Sequence, residues 1–178
     1  MKRLVLSEGE KELLLSQLYK FKMNKISQIF STLFFIGYVR WIPGTFGSIF
    51  ALIIIIFLHN IVNKNEFIIL FICILLMAII CIKIYSKSIN KDDAKEIIID
   101  EFLGIYLIVI FSYDYKIFNN EFVNILLILL FFRIFDILKP FPANWIDKNM
   151  KNSYGVILDD IVAGIYTIIT LALINVFV

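Results

Sequence analysis

The sequence predicts an all-α integral membrane protein: a helical bundle of about five apolar helices, with a short N-terminal re-entrant or interfacial helix ahead of them. Three observations carry that expectation. Apolar residues make up 61% of the 178-residue chain, against roughly 45–50% in a soluble globular domain, and mean hydropathy is +0.89. The Ile, Leu and Phe runs extend over 16 residues or more, far longer than ordinary strands. Charged residues, 18% of the chain, gather at the ends of these runs and between them.

Taken in order, residues 1–25 are polar and basic, with Glu8, Glu10 and Glu12 among the lysines, and read as a surface-lying extension. Their apolar stretch is too short for a secretory signal. The remainder, 26–178, reads as one membrane-embedded domain. Residues 26–39 are apolar but fall short of the about 20 residues that a crossing needs. Crossings are expected at about 46–62, 66–84, 97–113, 121–139 and 155–178. Several are near the lower length limit, which implies little tilt in a thin slab. Cys73 and Cys81 share one apolar run and lack the neighbours of a zinc site or an activated thiolate. His59, the single histidine, ends an apolar run with no carboxylate close in sequence and reads as interfacial.

Threading these spans alternately through a bilayer brings four polar clusters to one face: Thr45; Asp100 with Glu101; Arg133, Asp136 and Lys139; and Asp159 with Asp160. The basic residues bear on this independently. Of the 17 Lys and Arg, 15 fall on that face, in the N-terminal region, 83–96 and 133–151, leaving Lys64 and Lys116 opposite. Positive charge accumulates on cytoplasmic loops, so the polar face is expected to be cytoplasmic. Arg133, Asp136 and Lys139 recur every third residue, within an arc of about 120° on a helix. Asp159 and Asp160 precede Ala163 and Gly164 by one turn, and small residues there let a neighbouring helix come close. Ionisable groups at the rim of an apolar span cost roughly 2.5–3.5 kcal/mol each on insertion scales, and they generally serve a function.

Five carboxylates against Arg133 and Lys139 leave an excess of three negative charges, which a partly dry cleft does not hold without a counter-ion. Oxygen donors of this kind suit Mg²⁺ or Mn²⁺ rather than zinc. An Arg and a Lys beside such a site suit phosphate. The alternative for each acid taken singly is a helix-end charge that offsets the helix dipole. The segment 42–48, IPGTFGS, offers backbone N–H groups to a phosphate. It is equally an ordinary helix start with Thr45 as N-cap, and it lacks the lysine of a Walker loop. No G-x-S-x-G elbow, Cys-x5-Arg phosphatase loop or Asp-x3-Asp transferase pattern is present.

Four blocks, PGTFGS (43–48), DDAKEIIIDEFLG (92–104), FRIFDILKPFP (132–142) and GVILDDIVAG (155–164), occur in order. Together they resemble the phosphatidylglycerophosphatase A family, over about 33–178. The resemblance implies Mg²⁺-dependent removal of the terminal phosphate of phosphatidylglycerophosphate by a multi-pass protein of the bacterial inner membrane, with its site facing the cytoplasm. It implies Asp100, Glu101, Asp136, Asp159 and Asp160 as the catalytic and metal-holding acids, and Thr45, Arg133 and Lys139 as the phosphate-binding residues. Either an activated water or a carboxylate serves as nucleophile. The implied partners are a phospholipid and the membrane, not nucleic acid. Gly104, Ala163 and Gly164 leave room for helix contacts within the chain or in a homo-oligomer. Ile42, Ala94 and Asn152-Ser153 depart from the family pattern without removing a charge, so they bear on loop shape. Two other readings stay open: a phosphatase for another lipid phosphate, and a small ion-coupled transporter, which favours acids at the midplane and paired halves.

Overall fold

The structure, a computed structural model, describes residues 8–39, 43–112 and 121–177. Lys2 and Arg3, the turn residues Arg40 and Ile42, and the connection that holds Asp114 and Lys116 lie outside the described residues. Among the described residues every regular element is helical.

Helix α1 runs from Glu8 to Ser31. It crosses residue 25 without a break, because neither glycine nor proline stands on either side of that compositional step. The separate short helix expected over 26–39 does not form. That segment is the end of α1, then Leu33, Phe34 and Phe35 in the left-handed region, then a single 3-10 turn, Ile36–Tyr38. Hydrogen bonds offset the unfavourable backbone: Phe34 N donates to Ile29 O at 2.8 Å, and Phe35 N donates to the Thr32 hydroxyl at 3.1 Å.

Six further helices follow: α2 (Pro43–His59), α3 (Lys64–Ile89), α4 (Ile99–Ser112), α5 (Glu121–Leu138), α6 (Ala143–Asn149) and α7 (Ser153–Phe177). The five long ones lie within a few residues of the expected spans, and α6 is an addition. Asn63 starts α3 with a reciprocal capping box, in which its side chain accepts from Glu66 N while Glu66 accepts from Asn63 N. By length and composition, α3 and α7 are apolar enough to cross a membrane. Ile69, Ile72, Leu76 and Ile80 of α3 and Ile169 and Leu173 of α7 face outward.

The core is built around α4. Leu103, Ile105, Tyr106 and Ile108 are fully buried, and the Tyr106 hydroxyl donates to Phe67 O of α3 at 3.0 Å. The broadest helix contact is that of α4 with α7. It is possible because both crossing positions are glycine. A Cβ on Gly164 would lie 2.9 Å from the Gly104 carbonyl oxygen, and one on Gly104 would lie 2.9 Å from the Asp160 carbonyl oxygen. The small residues therefore serve a contact within the chain, and that contact sets the acids of α7 beside those of α4.

Candidate active site

At the end of the bundle where α2 and α4 begin and α5 finishes, a cleft of about 370 Å³ opens between the helices. Each acid reaches it for a local reason. Asp100 and Glu101 occupy the first turn of α4, where carboxylates oppose the helix dipole. Asp159 and Asp160 lie nearly two turns inside α7, both buried, on the side that Gly164 brings against α4. Asp136 and Arg133 lie in the last two turns of α5. The two acid pairs are built alike: Asp100 Oδ1 accepts from Glu101 N at 3.0 Å, and Asp159 Oδ1 accepts from Asp160 N at 3.1 Å.

Arg133 Nη1 donates to Asp136 Oδ2 at 2.6 Å and lies 3.8 Å from Glu101 Oε1. Lys139 stands just past α5 in a left-handed conformation (φ 42°), which is uncommon for a residue with a side chain. Its ammonium donates to Asp159 Oδ2 at 2.6 Å and to Asp147 Oδ1 of α6 at 2.8 Å. Burial pulls the Lys139 pKa down, but these two hydrogen bonds outweigh it and hold the ammonium above its ordinary value. The same Lys139 hydrogen bond holds Asp147 below the usual carboxylate range.

Two polar atoms in this cluster are buried without a hydrogen-bond partner, Glu101 Oε2 and Arg133 Nε. One is an acceptor that suits a cation, the other a donor that suits an anion. Oxygens of Asp100, Glu101 and Asp160 all lie within 4.8 Å of one another. This all-oxygen donor set with an unspent carboxylate oxygen can hold a hard divalent cation. Seven acids and four bases line the cleft, so a bound cation also offsets the excess negative charge.

Of the residues singled out from sequence, Asp100, Glu101, Arg133, Asp136, Lys139, Asp159 and Asp160 all line this one cleft. Thr45 does not. Helix α2 begins at Pro43, so Thr45 falls inside the first turn, and Pro43 and Gly44 form the wall instead. The Ser48 hydroxyl is spent on Gly44 O at 2.8 Å. His59 lies at the far end of α2, edge-on to Phe67 with ring centroids 5.7 Å apart.

The model of the family described as phosphatidylglycerophosphatase A matches residues 29–175. The chain belongs to this family. Its relatives include a Haemophilus influenzae protein named phosphatidylglycerophosphatase A, 32% identical over 75% of this chain and 78% of its own length. An Escherichia coli protein of the same name is 28% identical over 82% of this chain and 81% of its own length. A Bacteroides thetaiotaomicron protein, provisionally named a phosphatidylinositol-3-phosphatase, is 26% identical over 76% and 85%. No solved structure matches the chain.

The family match spans all four sequence blocks. Sequence reasoning did not single out Asp147, which shares Lys139 with Asp159. Its signal is the Pro140-Phe141-Pro142 turn, which folds the chain back so that an acid eight residues on meets Lys139. Of the departures from the family pattern, Ala94 is buried and its carbonyl accepts from Ile97 N at 2.8 Å. Asn152 caps the start of α7 by accepting from Tyr154 N and Gly155 N, both at 3.0 Å.

Proposed function

We propose that this chain hydrolyses the terminal phosphomonoester of phosphatidylglycerophosphate, leaving phosphatidylglycerol and inorganic phosphate. Family membership supports the activity, and the chemistry of the cleft supports the mechanism. Asp100, Glu101 and Asp160 hold Mg²⁺, with Asp136 and Asp159 completing the acidic floor. The ion supplies charge neutralisation and Lewis-acid polarisation of the phosphate and of the attacking water. Arg133 directs its unspent Nε–H toward the phosphate, while its hydrogen bond to Asp136 keeps the guanidinium in place. Lys139 has three N–H donors, of which Asp147 and Asp159 take two, so the third is available to a phosphate oxygen. Water oxygen adds to phosphorus as the bond from phosphorus to the glycerol oxygen breaks. A floor carboxylate takes the water proton and delivers it to the leaving glycerol oxygen. Thr45, one residue from the wall, supports the α2 start that meets the phosphate.

The observation that carries this reading is the pair of unspent buried atoms, Glu101 Oε2 and Arg133 Nε, in one acidic cleft. In the membrane, α2, α3, α4, α5 and α7 form the crossings of a single unit over 26–178. The cleft then faces the cytoplasm of a bacterium, because the lysine-rich connections lie at that end. The lipid tails remain in the bilayer, which accounts for a phosphatase built of apolar helices.

The test is phosphate release from a panel of lipid phosphates in detergent micelles, with and without EDTA. Release from phosphatidylglycerophosphate that EDTA stops and Mg²⁺ restores is the expected result. Undiminished release in EDTA overturns the metal assignment. The provisional name of the Bacteroides relative favours a second reading, a phosphoinositide monoester, and preferential release from that lipid would establish it.

A further inference from the structure

The cations deep in the cleft are already engaged. Arg133 is held by Asp136 and Glu101, and Lys139 by Asp147 and Asp159. Two other lysines line the same cleft, Lys95 and Lys151. Both are exposed, and neither forms an ion pair with a described residue. The cleft is thus graded, from buried Asp159 and Asp160 on the floor, through half-buried Arg133 and Lys139, to exposed Lys95, Lys151 and Asp93 at the lip, with Lys151 also helping to lower the Asp147 pKa.

The backbone under each lysine is pinned. Lys95 follows buried Ala94, whose carbonyl takes the Ile97 N–H, and precedes Glu96, whose carboxylate accepts from the Tyr85 hydroxyl at 3.1 Å. Lys151 sits in the turn from α6 to α7, between Met150 and the capping residue Asn152. Asn152 N donates to Met150 O at 2.9 Å, and a Cβ on Gly155 would run into that same carbonyl. An exposed lysine on a mobile loop loses much of its contact energy to ordering, and these two start from ordered turns.

We infer that Lys95 and Lys151 form a second phosphate subsite, which holds the phosphodiester of the headgroup while the terminal phosphate lies on the acidic floor. The inference rests on the proposed function. The substrate so identified carries two phosphates joined by glycerol, and the deep site has donors for one. The turns that bear the lysines join helix ends, the level at which the phosphates of a bilayer lie. The subsite therefore sets the preference for a headgroup with an internal phosphodiester over a lipid with the monoester alone.

The test compares wild type with the double variant K95Q/K151Q in neutral detergent micelles, which carry no surface charge of their own. The readout is the ratio of kcat/KM for phosphatidylglycerophosphate to that for phosphatidic acid, which has no phosphodiester. Loss of two charge-assisted contacts lowers that ratio about tenfold or more, through KM, and K95R/K151R restores it to within about twofold. A ratio in K95Q/K151Q that stays at the wild-type value overturns the inference and leaves the proposed function standing. So does a ratio that changes only when the substrate is presented in anionic vesicles, since the lysines then read the membrane surface. Absence of phosphate release from either lipid by the wild type overturns both.

Discussion

Arg133 and Lys139 leave the same end of α5 six residues apart, yet they enter different environments. Arg133 faces the acids of α4 and keeps a buried donor unspent, next to a carboxylate oxygen that is also unspent. Lys139 faces α6 and α7 and ties together Asp147 and Asp159, one from each. The first half of the cleft is under-satisfied and stands ready for ligands. The second half is an ion-pair network that fixes the turn between α6 and α7 and leaves Lys139 one N–H donor to spare. The contrast teaches that equal charge at equal sequence spacing does not imply equal work. What each cation does depends on how many of its donors its acceptors take.

The sharpest way to break this comparison is to neutralise one acid on each side. Asp160→Asn is expected to lower kcat/KM at least about a hundredfold, as loss of a group acting directly on the reacting centre does, and to abolish any Mg²⁺-dependent rise in unfolding temperature. Phosphate release and thermal unfolding in detergent check it. If Asp147→Asn proves as damaging as Asp160→Asn, the division of the cleft fails. Next in size, Arg133→Lys keeps the charge but loses the planar fork and its spare donor. It is expected to cost roughly tenfold or more in kcat/KM, measured on the same lipid.

Asp147→Asn itself should cost only a few-fold in kcat/KM, and Lys139 should titrate at lower pH once that hydrogen bond is weakened. The smallest effect is on stability against pH. The Lys139 hydrogen bond holds the Asp147 pKa below its ordinary 3.8. Its stabilisation is therefore complete above that value and fades as pH falls through the depressed one. Lys139, held above its ordinary 10.5, contributes fully below that value and loses its contribution as pH rises through the raised one. Unfolding followed from pH 7 to pH 3 should show wild type losing about 1 kcal/mol or less that Asp147→Asn does not lose. Identical slopes in the two proteins would show that Asp147 carries no such linkage.

The extent to which this was legible beforehand differs between helix and site. The positions of α2, α3, α4, α5 and α7 follow from apolar runs bounded by charges, because a long hydrophobic stretch has few alternatives to a helix. The acids were legible one by one, since an ionisable group beside such a run is costly enough to stand out. Helix α1 runs through residue 25, because composition changes there while helix-compatible residues continue. Thr45 does not line the cleft, and the chain does not announce whether a helix begins at Pro43 or two residues later.

By itself, the sequence settled that this is a helical, strongly apolar chain of the phosphatidylglycerophosphatase A family, with its ionisable residues gathered toward the ends of the apolar runs and between them. Only the tertiary structure decided which carboxylates meet, that Asp147 joins Lys139, and that Glu101 Oε2 and Arg133 Nε remain unspent. The reason is physical. Burial of apolar surface is read locally along a chain, whereas pairing of charges depends on the close crossing of α4 and α7 at Gly104 and Gly164, more than fifty residues apart.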